Sequence, residues 1–300
     1  MLNKSISIIV PVKDNQSGIE SLLDSFFIKT DENFYPLSII IVDNKSKTPI
    51  YLPVKYKNAN LPIHLIKCNL LGAGNARNEG VKFAIEQYNP GWILFTDSDC
   101  IFTKESIEGY MGEHSQEENI MAYQGSIEPL GIDWLSKTYL ELGLFIIPEA
   151  RVDDNISRPE YLVTANCLVK TKAFNDINGF DKKFTYASED MDLSYRLNRI
   201  GRLAYAKKSV IKHDFLHGRN EPNGADLINF IERARRYGWG LGKIFNEYGK
   251  DYDEYFNCFN TKLDVNITKM ELVEMRTMFS IGLNKGFQDF KEKKSPLVKN

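Results

Sequence analysis

The chain has 300 residues, 38 Lys and Arg against 40 Asp and Glu, a formal net charge of −2 and 43% hydrophobic residues. The length suffices for one large domain or two ordinary ones, with a core that needs no metal or disulfide staples. The hydrophobic share excludes a disordered chain, and the balanced charge offers none of the basic field of a nucleic-acid binder. Four cysteines, at 68, 100, 167 and 258, form no C-x-x-C pair, which argues against a zinc ribbon and fits a reducing cytosol.

Ser5–Val12 is an apolar, β-branched run that reads as a strand. It is too short for a signal peptide, and no window holds the ~20 apolar residues a membrane span needs. A soluble or peripheral protein is therefore expected. Ser17–Ile28 has helical spacing, with Ile19, Leu22, Leu23 and Phe26 on one face and Ser17 as N-cap. Leu37–Asp43 and Pro62–Lys67 read as further strands, Ala73–Gln87 as a helix with Ala76, Val81, Ala84 and Ile85 inward, and Trp92–Thr96 as a fourth strand. Strands that are apolar throughout, alternating with amphipathic helices, imply a parallel sheet covered on both faces. This is a Rossmann-like α/β unit.

The middle is less regular. Ile120–Ile127 and Tyr161–Val169 read as strands, Asp133–Phe145 as a helix and polar Arg151–Pro159 as a mobile loop. Glu189–Ile200 is a strong helix pattern with Met191, Leu193, Leu197 and Ile200 apolar. Ser209–His213 is a short strand. Beyond Gly224 the pattern is helical, with Leu227–Tyr248 and Lys269–Phe290 as the main segments. The second puts Leu272, Met275, Phe279, Leu283 and Phe290 near one face.

Ligands of an open parallel sheet bind at the carboxyl ends of its strands. Three of the four early strands end at acid: Asp14 after the first, Asp43 on the second, Asp97-Ser98-Asp99 after the fourth. Alternation along an extended segment would point Asp97 and Asp99 to one side, where two carboxylates suit Mg²⁺ or Mn²⁺ with its phosphate ligands. Position gives this otherwise weak motif its value. Gly72–Gly80 opens a helix after a strand. Its glycines permit close backbone approach to an anion, and Asn75 and Arg77 lie on its ligand side, Arg77 able to pair with phosphate or stack on a base. Ser188-Glu189-Asp190-Met191-Asp192 packs three carboxylates into one helical turn. Capping and the helix dipole explain one or two of them; a carboxylate held partly out of water could be a general base. His213 could complete the cation site as an imidazole donor, whereas His64, His114 and His217 read as structural.

These segments, IIVPVKDN, IIIVDNKS, GAGNARNEG, LFTDSDC, TANCLVKTKAFNDINGFDKKF, SEDMDLSYRL and a late His, occur in that order over about residues 5–215. In this the chain resembles the inverting nucleotide-sugar glycosyltransferases of family 2, which have the GT-A fold. The ordered set is specific although no single piece is. The resemblance implies a GT-A α/β fold, with a mostly parallel sheet flanked by helices and a C-terminal helical extension. It divides the chain into a catalytic domain over 1–220, with a nucleotide-sugar half at about 1–100 and an acceptor half at about 101–220, and an extension over 221–300.

By the same resemblance the donor is held by Pro11, Val12, Asp14, Asp43, Asn75, Arg77, Asp97, Ser98 and Asn166. The metal, Mn²⁺ or Mg²⁺, is held by Asp97, Asp99 and His213, with Asp99 the direct contact. Asp190 is the catalytic base, with Glu189 beside it positioning the acceptor or standing as second choice. The implied reaction moves a sugar from a nucleotide diphosphate sugar, a UDP-sugar first, to a hydroxyl of a glycan or lipid-linked acceptor in surface polysaccharide synthesis, in the cytoplasm. Two departures bear on base identity. Lys13 stands where many members carry an aromatic residue, and the usual DDGS reads Asp43-Asn44-Lys45-Ser46, one acid short.

Two other readings compete. A sugar-1-phosphate nucleotidyltransferase shares the sheet, the metal and an LGAG-type loop. In that class, however, the loop follows the first strand, and here Leu71-Gly72-Ala73-Gly74 follows the third. A non-catalytic nucleotide- or glycan-binding protein on the same fold would not need Asp97, Asp99, Asp190 and His213 together. In the C-terminal region, Arg233, Arg235 and Arg236 precede Tyr237-Gly238-Trp239-Gly240. Packing on the catalytic domain is the plainer reading, and an acceptor-side surface for a phosphate the sharper one. The last helix and a tail with Lys285, Lys291, Lys293, Lys294 and Lys299 suggest core packing or a homodimer, with peripheral contact to the inner face of the plasma membrane as the alternative.

Overall fold

The computed structural model describes residues 5–111, 119–141, 149–150, 158–216, 218–219, 221–249 and 270–294. His114, Arg151–Ser157, His217, Cys258, Lys269 and Lys299 lie outside the described residues.

The first strand, β1 (Ile6–Val12), is buried along its whole length. Its alternate side chains feed two cores. Ile6, Ile8, Val10 and Val12 meet Ile19, Leu22, Leu23 and Phe26 of α1 (Gln16–Lys29) on one face. Ile9 meets Ala76, Val81 and Ala84 of α2 (Ala73–Tyr88) on the other. A strand apolar at every position is what a sheet covered on both faces requires. The cap of α1 is Asn15, whose side chain accepts from the Gly18 amide at 3.1 Å, and not Ser17. Gly80 lets α2 lie close on the sheet, since a Cβ there would come within 2.6 Å of Ile9 Cγ2.

Strands β2 (Ser38–Asp43), β3 (Ile63–Lys67) and β4 (Trp92–Thr96) complete a parallel half with β1. The other half is mixed. It contains β5 (Cys100–Phe102), β6 (Ile120–Pro129), β9 (Asn166–Lys170) and β10 (Arg202–His213), in an eight-stranded order β3-β2-β1-β4-β9-β6-β10-β5. A separate two-stranded ribbon joins β7 (Glu149–Ala150) and β8 (Arg158–Pro159). Short helices α3 (Glu105–Met111), α4 (Trp134–Glu141) and α5 (Thr171–Asp176) link the strands. The run read as a strand over Tyr161–Val169 is extended only from Asn166, because a turn closed by Asn166 N–H on Val163 O precedes it. α6 (Glu189–Asn198) stops before Ile200, which is 43% exposed.

The described C-terminal part is a helix pair, α7 (Gly224–Tyr248) and α8 (Met270–Lys291). Asn223 and Asp226 form a capping box at the start of α7. The pair meets through glycines: a Cβ on Gly286 would collide with the Arg235 carbonyl, and one on Gly238 with that of Leu283. Arg235 Nε also reaches Asp289 at 2.6 Å, where the carboxylate is 1% exposed. Phe230, Ala234 and Phe279 of this pair pack with Leu135, Tyr139, Phe215 and Leu216, and Ile244 packs with Met191 and Tyr195 of α6. Backbone on backbone leaves no side chain to yield, so Gly286→Ala is expected to cost about 1–3 kcal/mol. An unchanged urea midpoint would refute that close approach. Among the described residues no helix is long and apolar enough to cross a membrane.

Candidate active site

β4 ends at Thr96 and the chain turns at once, the Cys100 N–H closing on Asp97 O at 3.1 Å. Asp97 and Asp99 therefore lie on a turn, not on an extended segment, and strand alternation does not set their directions. Asp97 Oδ1 accepts from Arg77 Nη2 at 2.6 Å. Asp99 Oδ1 lies 3.5 Å from His213 Nε2. The late histidine arrives because β10 pairs antiparallel with β5, placing His213 opposite Cys100. The Asp214 N–H closes the join by donating to Asp99 O at 2.7 Å.

Arg77 sits on α2 with only 3% of its side chain exposed, and its second amine donates to Glu189 Oε1 at 3.0 Å. Its guanidinium lies 5.7 Å from the Phe180 ring. Burial alone would lower its pKa, but Asp97 and Glu189 more than offset that and raise it. Arg77 is thus the fixed cation between Asp97 at the end of β4 and Glu189 at the start of α6, a role the sequence pattern did not distinguish from phosphate binding.

The three acids of the α6 entry separate. Glu189 binds Arg77. Asp192 is fully buried and bound by Arg196 and the Tyr248 hydroxyl, which makes it a tie between α6 and α7. Asp190 lines the cleft beside Glu189 but forms no ion pair among the described residues. Burial raises its pKa to about 7, the Glu189 charge adds to the rise and Arg77 opposes it. Ser188, which starts this helix, has φ 66°, a left-handed conformation unusual for a side-chain-bearing residue. Gly240 of α7 is packed against its side chain.

A cleft of about 550 Å³ gathers these groups. Pro11, Val12, Arg77, Asp97, Ser98, Asp99, Glu189, Asp190 and His213 all line it. Four expected residues do not. Asp14 accepts from the Lys47 amide at 2.6 Å, and Asp43 accepts from the Ser46 amide at 3.0 Å, so both organise the 43–50 loop. Asn75 donates to Leu71 O at 2.8 Å within its own turn. Asn166 is 1% exposed and ties β9 to Ser126 O at 2.9 Å and to the Tyr110 hydroxyl at 2.9 Å. These side chains shape the walls and do not reach the cavity.

The missing acid of DDGS has a structural counterpart. Asn44 donates to Leu70 O at 2.6 Å and accepts from the Gly72 amide at 3.0 Å, pinning the glycine loop to the second strand end. An ionised Asp could only accept. Gly72 itself has φ 112°, open to glycine alone.

Other lining residues carried weaker sequence signals. His213 stacks on Phe215 at 4.3 Å, and Phe215 on Tyr139 at 4.4 Å. Arg233, Arg236 and Tyr237 of α7 complete that wall, whereas Arg235 points away to Asp289. The three arginines are therefore not one cluster. Helix spacing puts 233, 236 and 237 on one face, but which face is covered is set by the last helix, through Asp289.

The donor set fits a divalent ion. Asp99 Oδ1 is buried and accepts no hydrogen bond. Asp99, Cys100 and His213 offer ligand atoms within 4.8 Å of one another. Burial pushes the Cys100 thiol well up, so a carboxylate oxygen and an imidazole nitrogen are the available donors for a divalent ion. Asp97 stands outside that group, its Oδ1 bound to Arg77.

Residues 7–172 match the model of glycosyl transferase family 2, and residues 92–273 that of glycosyl transferase family group 2. A pre-mycofactocin glycosyltransferase of Mycobacterium tuberculosis is 23% identical over 247 residues, which cover 79% of this chain and 46% of that protein. The chain thus spans about half the length of that relative. The fold resembles that of a mannosyltransferase, PcManGT, from Pyrobaculum calidifontis in complex with GDP-Man and Mn²⁺ (TM-score 0.63, 12% identity, 97% of this chain and 88% of that one). It also resembles S. aureus TarS 1–349 in complex with UDP-GlcNAc (TM-score 0.53, 15% identity, 96% and 92%). The order of motifs, the GT-A sheet and the family match agree: the chain belongs to glycosyl transferase family 2.

Proposed function

We propose that the protein is an inverting, metal-dependent glycosyltransferase. It moves a sugar from a nucleotide diphosphate sugar, a UDP-sugar first, to a hydroxyl of a glycan or lipid-linked acceptor in surface polysaccharide synthesis. The observation that carries this reading is one cleft with Asp99 and His213 on one wall and a base of raised pKa, Asp190, on another. The catalytic unit is assigned to residues 1–220 and a C-terminal extension to 221–300, whose described helix α7 contributes to the cleft wall. Buried free thiols at Cys68, Cys100 and Cys167 accord with a cytoplasmic setting.

Asp190 takes the proton of the acceptor hydroxyl as that oxygen attacks the anomeric carbon. The new C–O bond forms as the bond to the β-phosphate breaks, the electron pair leaves with the diphosphate, and a single displacement inverts the centre. Asp99 and His213 would hold the divalent ion, which when bound neutralises charge growing on the leaving group. Arg77 holds Asp97 and Glu189 in place and moderates the Asp190 pKa.

The base works only when ionised, so kcat/KM is expected to rise with slope one up to about pH 7 and then level. Glu189→Gln removes a charge that raises that pKa, so its profile shifts to lower pH. A flat profile, or a shift to higher pH in Glu189→Gln, would refute the assignment of Asp190. The donor is tested by a thermal-shift panel of UDP-, GDP-, CDP- and dTDP-sugars with and without Mn²⁺. A ligand that binds the native state raises Tm. Mn²⁺-dependent stabilisation by UDP-sugars is expected, and stabilisation by GDP-sugars alone would move the assignment to that base. No response to any of them would refute the donor class.

A further inference from the structure

The far half of α7 meets the helix that carries Asp190 at successive turns. Gly240 packs on Ser188, where a Cβ would come within 2.3 Å of the hydroxyl oxygen. One turn on, Ile244 is fully buried and packs with Met191. After one more turn the Tyr248 ring packs on Tyr195 at 4.2 Å, and its hydroxyl donates to Asp192 Oδ1. Positions 240, 244 and 248 form one helix face, and Asp190 lies within the stretch of α6 that this face meets.

Asp192 anchors the contact. Its carboxylate is fully buried. Arg196 donates to Oδ2 from Nε at 3.0 Å, and is itself held by Ile177 O at 2.9 Å and Gly179 O at 2.7 Å. Among the described residues, Oδ1 accepts from the Tyr248 hydroxyl alone. Burial first, and then the bond to Asp192, raise the Tyr248 pKa, so the hydroxyl stays a donor. The Asp192 N–H reaches back to Ser188 O at 3.1 Å, the left-handed residue that starts the helix. On the other side, Ser194 Oγ donates to Asp190 O at 2.5 Å and accepts from the Leu162 N–H at 2.8 Å. A phenylalanine would fill the space beside Tyr195 equally well. The hydroxyl is what the buried carboxylate requires.

We propose that Tyr248 is a positioning residue for Asp190: through Asp192 and Ser188, its hydroxyl fixes the first turn of α6 and keeps the Asp190 carboxyl in its buried place. The effect on rate rests on the reading of Asp190 as the base; the effect on the carboxyl itself does not. Burial is the first cause of the raised Asp190 pKa, Glu189 adds to it and Arg77 of α2 opposes it. Cys167 of β9 and Tyr237 of α7 feel its charge but stay neutral, because burial raises both. Asp192 faces Arg196, Tyr248 and, more distantly, Lys243. Loosening the turn admits water to Asp190 and lowers its pKa.

The test is a pH titration by carbon NMR of the full chain with carboxyl-labelled aspartate. The Asp190 resonance is assigned by its loss in Asp190→Asn. Tyr248→Phe should bring its midpoint down from about 7 to about 6 or below. Hydrolysis of the UDP- or GDP-sugar selected by thermal shift should slow about 10-fold in kcat, with KM nearly unchanged. Gly286→Ala loosens α7 against α8 without touching Ser188 or Asp192, and should leave both readings at wild-type values. If Tyr248→Phe fails to fold, Tyr248→His carries the same prediction, because its shorter ring leaves room for a water on Oδ1. A moved resonance with an unmoved kcat would keep the positioning and discard Asp190 as base. An ordinary Asp190 midpoint in wild type would overturn the proposal. So would an unmoved or raised midpoint in a folded Tyr248 variant, or an equal movement in Gly286→Ala.

Discussion

Asp190→Asn is expected to leave donor binding intact and to cut transfer by about two orders of magnitude or more, the usual contribution of a general base. The replacement keeps shape and removes only the capacity to take a proton. Its stability is the second readout. Asp190 has a folded pKa raised to about 7 from an ordinary 3.8. The folded state therefore binds the proton more tightly than the unfolded one, and stability falls as pH rises between those values. Asn does not ionise and escapes that cost. At pH 8 the variant should be at least as stable as wild type while transfer is lost. A less stable, active variant would contradict both halves.

Arg77→Met should have the largest structural effect. Arg77 is buried, and its removal strands Asp97 and Glu189 within reach of Asp190. Breaking a buried ion pair from one side costs about 3–5 kcal/mol. The lower end is expected here, because the cleft lets water reach the freed carboxylates. The same change removes the charge that holds the Asp190 pKa down, so the activity profile moves to higher pH, opposite to Glu189→Gln. The urea midpoint and the pH profile measure the two effects separately. A stable variant with an unmoved profile would show that Arg77 is not the cation that organises these acids.

The parallel half of the sheet was legible because its strands are apolar runs and three of the four close on acids. β1 to β4 lie within a residue of their expected bounds. β5, three residues long, carries no period to read, yet its pairing with β10 brings His213 to Asp99. The motif acids were legible as a set but not one by one. Nothing local tells that Asp190 faces the cleft, Glu189 binds an arginine 112 positions earlier and Asp192 serves Tyr248. Asn166 shows the reverse case, a motif residue consumed by three strands and a helix. The arginines of α7 divide because the place of α8, not the α7 sequence, decides which face is covered.

The loop join is a further consequence of topology. Asn44 both donates and accepts across a gap of 26 and 28 residues, which ties the second strand end to the glycine loop. α7 fixes the other side, packing Gly240 on Ser188 and binding Asp192 through Tyr248. The base is thus set by the helical part as well as by the sheet.

The most direct measurement is to follow donor hydrolysis by proton NMR with Mn²⁺, an α-linked nucleotide sugar taken from the thermal-shift panel and water as acceptor. A single inverting displacement gives the β-anomer first, before mutarotation, and Asp190→Asn is expected to produce it at least about 100-fold more slowly. The α-anomer appearing first, or an unchanged rate in Asp190→Asn, would contradict it.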